Sequence, residues 1–327
     1  MLQLPIPYFW QNGGHGQTVW RALAARTRLP YRRERICTPD DDFLDLDWLP
    51  APPGAEADAP LLVFCHGLEG DSQSSYIPLT VQALRRRHAW PVLAVNYRSC
   101  SGQLNRQPRF YNLGDTADLE TVLHHARACG HGRMVLVGFS AGGSIVVNFL
   151  AKRAAQALDL GVVAAAAISA PMDLAGGARR LEEPGSLFYN RRFCRSLAAK
   201  VQAKAARLGP AFPLPVDGLE LVQTLRRFDD WVTAPLHGYA SAADYYERCS
   251  GLPLLPQVPV PLLLWNARND PFLSPACFPP QAADGSWPLV RGIYPAQGGH
   301  CGFALADASA LLNATAPGGH WHRALFG

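Results

Sequence analysis

Residues 134–143 read MVLVGFSAGG, and the fold follows from them. Met134 to Phe139 is a short apolar run of the kind that forms a strand buried on both faces. Gly138-Phe139-Ser140-Ala141-Gly142 follows without a linker, and Gly143 to Arg153 continues with helical character. A serine at such a sharp strand-to-helix turn is held in a strained conformation with its hydroxyl exposed. Residues two before and two after the serine approach closely there, so a side chain at Gly138 or Gly142 would clash. The following helix adds backbone N–H groups and the positive end of its dipole. Ser140 is therefore the candidate nucleophile.

Working outward, the same strand signal recurs at Pro60–Cys65, Pro91–Asn96, Val162–Ser169, Val260–Trp265 and Val290–Tyr294. Helical segments separate them, such as Tyr76 to His88 and Thr116 to Ala128. Alternation of this kind predicts a mostly parallel sheet joined by right-handed crossovers, an α/β fold. Residues 171–256 break the rhythm with irregular Arg and aromatic residues and a Pro-rich stretch from Pro210 to Pro215. An interval that long between two strands predicts a helical cap over one end of the sheet. Residues 1–50 predict an N-terminal extension holding a hairpin, with Asp40-Asp41-Asp42 as its turn. The chain as a whole reads as one domain.

Composition excludes several classes. With 327 residues, 48% hydrophobic and 17% charged, the chain has ample material for a core and is not disordered. A net charge of +4 is too small a surplus to argue for nucleic acid or an anionic membrane. The clusters Arg85-Arg86-Arg87 and Arg191-Arg192 read as solvated helix faces. No apolar run reaches the roughly 18 residues of a membrane-spanning helix, and the N-terminus lacks a signal-peptide pattern. Eight scattered cysteines without a CxxC pair read as reduced thiols, several of them core filler, and the expected location is cytoplasmic.

A serine hydroxyl needs a base to take its proton. The chain order serine, acid, histidine leaves His237, His300, His320 and His322. His300, in the glycine-rich loop Gly298-Gly299-His300-Cys301-Gly302 after the last strand-like run, is the candidate base. Asp270, which follows the run ending at Trp265, is the candidate acid, with Asp173 as its rival. A buried carboxylate there would fix the imidazole tautomer and stabilise the imidazolium. The N–H groups of Ala141 and of Leu68, in Cys65-His66-Gly67-Leu68-Glu69-Gly70, are the expected oxyanion donors. Asp40-Asp41-Asp42 and His320-Trp321-His322 lack a metal-ligand spacing, and no segment has a phosphate-binding glycine pattern, so no metal or cofactor is expected.

Taken together, HGLEGDSQSSY (66–76), NYRSCSG (96–102), GFSAGG (138–143), FDDWVTAPLHGYASAADYY (228–246), NDPF (269–272) and GGHCGF (298–303) resemble the AB hydrolase 4 branch of the α/β hydrolases. Gly14-His15-Gly16-Gln17-Thr18 is similar to that branch's N-terminal GGHLQT-like segment, with Gly16 where leucine is usual. The resemblance covers nearly the whole chain. It implies an α/β-hydrolase fold with its nucleophile at Ser140, its acid at Asp270 and its base at His300. It also implies short- to medium-chain acyl esters as substrates, cleaved by water or transferred to an alcohol. A non-catalytic binding scaffold is the contrasting expectation. Chain-length preference is expected to depend on cap packing around residues such as Phe188, Trp231 and Tyr239, and no spacing rule reads that packing or the oligomeric state.

Overall fold

The computed structural model describes residues 13–23, 27–55, 58–86 and 88–303. His320 and His322 lie outside the described residues. Helix α1 (Gly14–Leu23) precedes a hairpin of β1 (Arg32–Cys37) and β2 (Phe43–Leu49). Then follow β3 (Leu61–Cys65), α2 (Tyr76–Arg85), β4 (Val92–Asn96), α3 (Ala117–Ala128), β5 (Met134–Phe139), α4 (Ala141–Lys152) and β6 (Val162–Ile168). Beyond β6 come α5 (Leu174–Glu182), the 22-residue α6 (Leu187–Leu208) and α7 (Ala242–Cys249). The sheet resumes with β7 (Leu262–Trp265) and β8 (Val290–Ile293).

The eight described strands form one sheet in the order β1-β2-β4-β3-β5-β6-β7-β8. β1/β2 and β2/β4 pair antiparallel; every other neighbour pairs parallel. The chain therefore has an α/β fold with a mostly parallel sheet, as the alternation of apolar runs predicts, in the α/β-hydrolase form that the family resemblance implies. Period-two alternation sorts the strands' side chains onto two faces. Leu61, Val63, Met134 and Leu136 enter the core on one side, and Leu62, Phe64, Val135 and Val137 enter the core on the other. Both faces are buried, so these strands read as continuous apolar runs.

β2 departs from that pattern. All of FLDLDWL is buried, yet it carries two aspartates. Leu44, Leu46 and Trp48 join the core, while Asp45 and Asp47 on the opposite face pair with Arg35 and Arg33 of β1. The 40–42 turn does more than reverse the chain. Buried Arg98, just after β4, donates to both oxygens of Asp118 on α3 and also to Asp40 and Asp42. One guanidinium thus ties the hairpin turn, the loop after β4 and α3 together. Burial raises the Asp40 carboxyl, but the hydrogen bonds from Arg98 and Thr38 outweigh it and bring it down to about 2.

Removing Arg98 would leave Asp42 and Asp118 buried without the guanidinium that pairs with both. An Arg98→Leu variant is expected to lose about 3–5 kcal/mol of stability, read by urea denaturation. In the wild type, the contribution of Asp40 is complete above its unfolded-state value and lost as pH falls from about 4 through about 2. Melting temperature followed over that window checks the sign.

Candidate active site

Ser140 sits between β5 and α4 with φ 52° and ψ −120°, a conformation that costs a side-chain-bearing residue about 1–3 kcal/mol. Close packing enforces it. A Cβ on Gly138 would lie 2.4 Å from the Gly142 carbonyl oxygen, and one on Gly142 would lie 2.3 Å from that of Cys65. Any larger residue at either position would push β5, α4 and the loop after β3 apart. The serine side chain is left projecting above the carboxyl end of the sheet. Ala141, as the first residue of α4, has an N–H with no acceptor inside the helix.

The structure brings Ser140, Asp270 and His300 together. His300 Nε2 lies 2.8 Å from Ser140 Oγ, and His300 Nδ1 lies 2.9 Å and 3.2 Å from the two carboxylate oxygens of Asp270. Asp270, buried after β7, also accepts the Phe272 N–H. This arrangement puts the proton of His300 on Nδ1 and leaves Nε2 free to accept from the serine hydroxyl. The rival acid is elsewhere: Asp173 caps α5 through the Gly176 N–H and accepts from Ser274 Oγ. His237 lies in the pocket wall, where burial pushes its imidazole down to about 4.

The loop of Leu68 is held on several sides. Gly67 N–H donates to the Tyr76 hydroxyl and Glu69 N–H to the Tyr111 hydroxyl, each at 2.8 Å. Buried His66 accepts the Tyr97 N–H at Nε2 and so donates from Nδ1 to the Gly67 carbonyl. Desolvation pushes its imidazole down to about 4, which keeps it neutral in this bridging role. Glu69 then pairs at 2.9 Å with Lys200 of α6, linking the loop to the helices beyond β6. The sequence reading singled out this loop but not its anchors. Tyr76 and Tyr111 are hydroxyl donors and acceptors with no spacing signature.

A pocket of about 1100 Å³, including its open mouth, lies over Ser140 and His300. Leu68 and Ala141 are on its wall, and so are Leu181, Phe193, Phe228, Tyr245 and Tyr246 from the interval between β6 and β7. Phe188, Trp231 and Tyr239, the cap residues named for chain-length preference, do not themselves line it. Phe188 is exposed, the Trp231 indole donates to the Pro215 carbonyl, and the Tyr239 hydroxyl lies against Cys249 Sγ. Aromatic identity alone could not say which ring of each helical turn faces inward. Gln17, Thr18 and Asn269 stand in motifs quoted for the resemblance but were given no role there, and all three contact the His300 loop. Among the described residues no group of three or more His, Cys, Asp or Glu is placed to hold a metal, and no helix is long and apolar enough to cross a membrane.

Residues 62–314 match the family model described as the alpha/beta hydrolase family. The chain is 37% identical over 302 residues to the esterase candidate YheT of Escherichia coli (strain K12), covering 91% of this chain and 86% of that one. The chain belongs to the alpha/beta hydrolase family. Phospholipase ABHD3 of Mus musculus is 30% identical over 306 residues, covering 91% of this chain and 72% of its own. These relatives agree with the AB hydrolase 4 resemblance seen in the motifs. The monoacylglycerol lipase of Saccharomyces cerevisiae is 28% identical over 74% of this chain and 53% of its own. Among solved structures, the Pyrococcus furiosus esterase Pf2001 superposes with a TM-score of 0.56 at 15% identity, covering 87% of this chain and 90% of that one. A proline iminopeptidase from Mycobacterium smegmatis superposes at 0.53 and 16% identity, over 86% of this chain and 96% of its own. The fold is thus shared by enzymes that cleave different bonds.

The pocket also contains an unusual carboxylate. Asp229 accepts from Thr233 Oγ1 at 2.6 Å and from the Tyr246 hydroxyl at 2.7 Å. Burial nevertheless outweighs these bonds and lifts its carboxyl to about 6. A folded-state value above the unfolded one means the folded chain holds a proton that the unfolded chain has lost, so stability falls as pH rises through that window. Relative to wild type, Asp229→Asn is expected to gain melting temperature between about pH 4 and about pH 6 and to hold that gain level above it. A pH series of melting curves for both proteins checks this.

Proposed function

We propose that the chain is a serine hydrolase that cleaves carboxylic esters through an acyl-enzyme on Ser140. The observation that carries this reading is the continuous contact from Ser140 Oγ to His300 Nε2 and from His300 Nδ1 to Asp270, at 2.8 Å and 2.9 Å. His300 takes the hydroxyl proton as Ser140 attacks the acyl carbonyl, and Asp270 holds the ring and stabilises the imidazolium. His300 then returns that proton to the leaving alcohol. A water, deprotonated by the same imidazole, releases the acid and restores the serine. The Leu68 and Ala141 N–H groups receive the oxyanion, each such donor being worth about 3–4 kcal/mol in the transition state. Gly138 and Gly142 keep the turn that aims the serine.

The esterase, phospholipase and lipase names of the relatives support an ester as the substrate. An apolar pocket walled by Leu181, Phe193 and Phe228 suits a short- to medium-chain acyl group. Because those walls come from residues 171–256, the interval is best understood as a cap that shapes the acyl site. An alcohol could replace water as the acceptor at the same site, since the acyl-enzyme is common to both routes. The chemistry needs no cofactor and no metal. We place the protein in the cytoplasm and assign it neither a nucleic-acid partner nor an integral membrane segment.

Ser140→Ala and Asp270→Asn should each lower kcat on p-nitrophenyl butyrate by roughly 10⁴-fold or more. Circular dichroism should remain that of the wild type, and a fluorophosphonate probe should label the wild type but not Ser140→Ala. Near-wild-type turnover in Ser140→Ala would overturn the assignment. Products formed in the presence of ethanol, free acid against ethyl ester, separate hydrolysis from acyl transfer.

A further inference from the structure

The loop that carries His300 belongs to no strand or helix, yet four of its successive backbone N–H groups are taken by side chains. Gly298 N–H donates to Gln17 Oε1 at 2.8 Å, and Gly299 N–H to Asn269 Oδ1 at 2.9 Å. His300 N–H donates to Thr18 Oγ1 at 2.8 Å, and Cys301 N–H to Ser169 Oγ at 2.9 Å. Side-chain acceptors are the minority partners of backbone amides, so four in a row form an unusual cradle. Two of them come from α1, about 280 residues away in the chain.

The acceptors are themselves oriented. Thr18 Oγ1 spends its own proton on the Gly14 carbonyl at 2.6 Å, which turns a lone pair toward the His300 N–H. The Gln17 carboxamide oxygen also accepts from Asn269 Nδ2 at 2.9 Å, and Asn269 is the neighbour of Asp270. Backbones pack here without room for a methyl group. A Cβ on Gly14 would fall 1.7 Å from the Asn269 carbonyl oxygen, and one on Gly299 would fall 2.6 Å from that of Gly14. The N-terminal helix is thus fitted to both loops that supply the partners of Ser140.

We infer that Gln17 and Thr18 are positioning residues for the hydrolysis proposed above, holding the His300 backbone so that its imidazole spans Ser140 and Asp270. They touch neither substrate nor reacting atoms and act through the loops that carry His300 and Asp270. The inference rests on the Ser140–His300–Asp270 reading. A misplacement of about 1 Å in such a constellation lowers turnover by roughly a hundredfold. Losing one acceptor should therefore reduce kcat and leave the pocket's hold on substrate unchanged.

The test compares Thr18→Val, which keeps shape and removes the acceptor, with Thr18→Ser, which keeps the hydroxyl. Gln17→Leu serves as a second, independent variant. With p-nitrophenyl butyrate, Thr18→Val and Gln17→Leu should lose roughly ten- to a hundredfold in kcat per folded molecule, with KM within about twofold. Thr18→Ser should stay close to wild type. Near-UV circular dichroism supplies the folded fraction. The positioning role is overturned if kcat per folded molecule is unchanged, if the loss appears in KM alone, or if Thr18→Ser is as impaired as Thr18→Val. Ser140→Ala, measured alongside, separates the two levels. If it is inactive and Thr18→Val is normal, only the positioning role falls; if it is active, the catalytic reading falls and the positioning role with it.

Discussion

The arrangement depends on the turn at Ser140, where a backbone conformation unfavourable to serine is locked between three close-packed pieces of chain. β5 arrives with Gly138, α4 leaves with Gly142, and the loop after β3 presses its Cys65 and His66 carbonyls against the start of that helix. None of the three can relax without displacing the others, so the strain persists. Because β3 and β5 are paired neighbours in the sheet, the serine turn and the Leu68 loop emerge at the same edge. The helix start and that loop are brought to one point by the sheet register, with no further device needed.

Around this turn the protein spends its buried polar groups on orientation. His66 is kept neutral by burial and bridges two backbone segments, and Tyr76 and Tyr111 hold the amides of the Leu68 loop. Glu69 and Lys200 fasten that loop to α6, so the helices over the pocket are coupled to the sheet below by a mostly buried ion pair. Such a pair adds little net stability when desolvation is counted, but it fixes a register. Arg98 does the same for the β1–β2 hairpin, where two acids of its turn and one of α3 meet one guanidinium. In each case the polar group specifies geometry, and the apolar sheet faces supply the cohesion.

Much of the site was legible because its parts are local. The G-x-S-x-G turn needs glycines two before and two after the serine, and sequence records such short-range steric demands directly. The strand runs were legible for a related reason: a sheet buried on both faces tolerates little but aliphatic side chains, and β3 to β8 fall within two residues of the runs that mark them. The choice of Asp270 over Asp173 followed from chain order, and the structure sets Asp270 against His300 Nδ1. The pocket wall was not legible in the same way. Phe188 and Phe193 are both aromatic, five residues apart on α6, and only the rotation of that helix against its neighbours turns one outward and the other into the pocket.

By itself, then, the amino-acid order determined the strand–turn–helix at 134–152, the alternating layers and the identity of three chemically apt side chains. The first two follow from interactions between residues a few positions apart or from burial pattern, and the third from the order serine, acid, histidine along the chain. Tertiary structure decided what lies between distant segments. It placed Gln17 and Thr18 against a loop 280 residues away, put Tyr111 on an amide 42 residues earlier, and sank Asp229 into an apolar wall that lifts its carboxyl. Hydrogen bonds of this kind leave no periodic trace, because a donor and its acceptor need share no spacing. They exist only once the sheet register and helix rotations have fixed which surfaces meet.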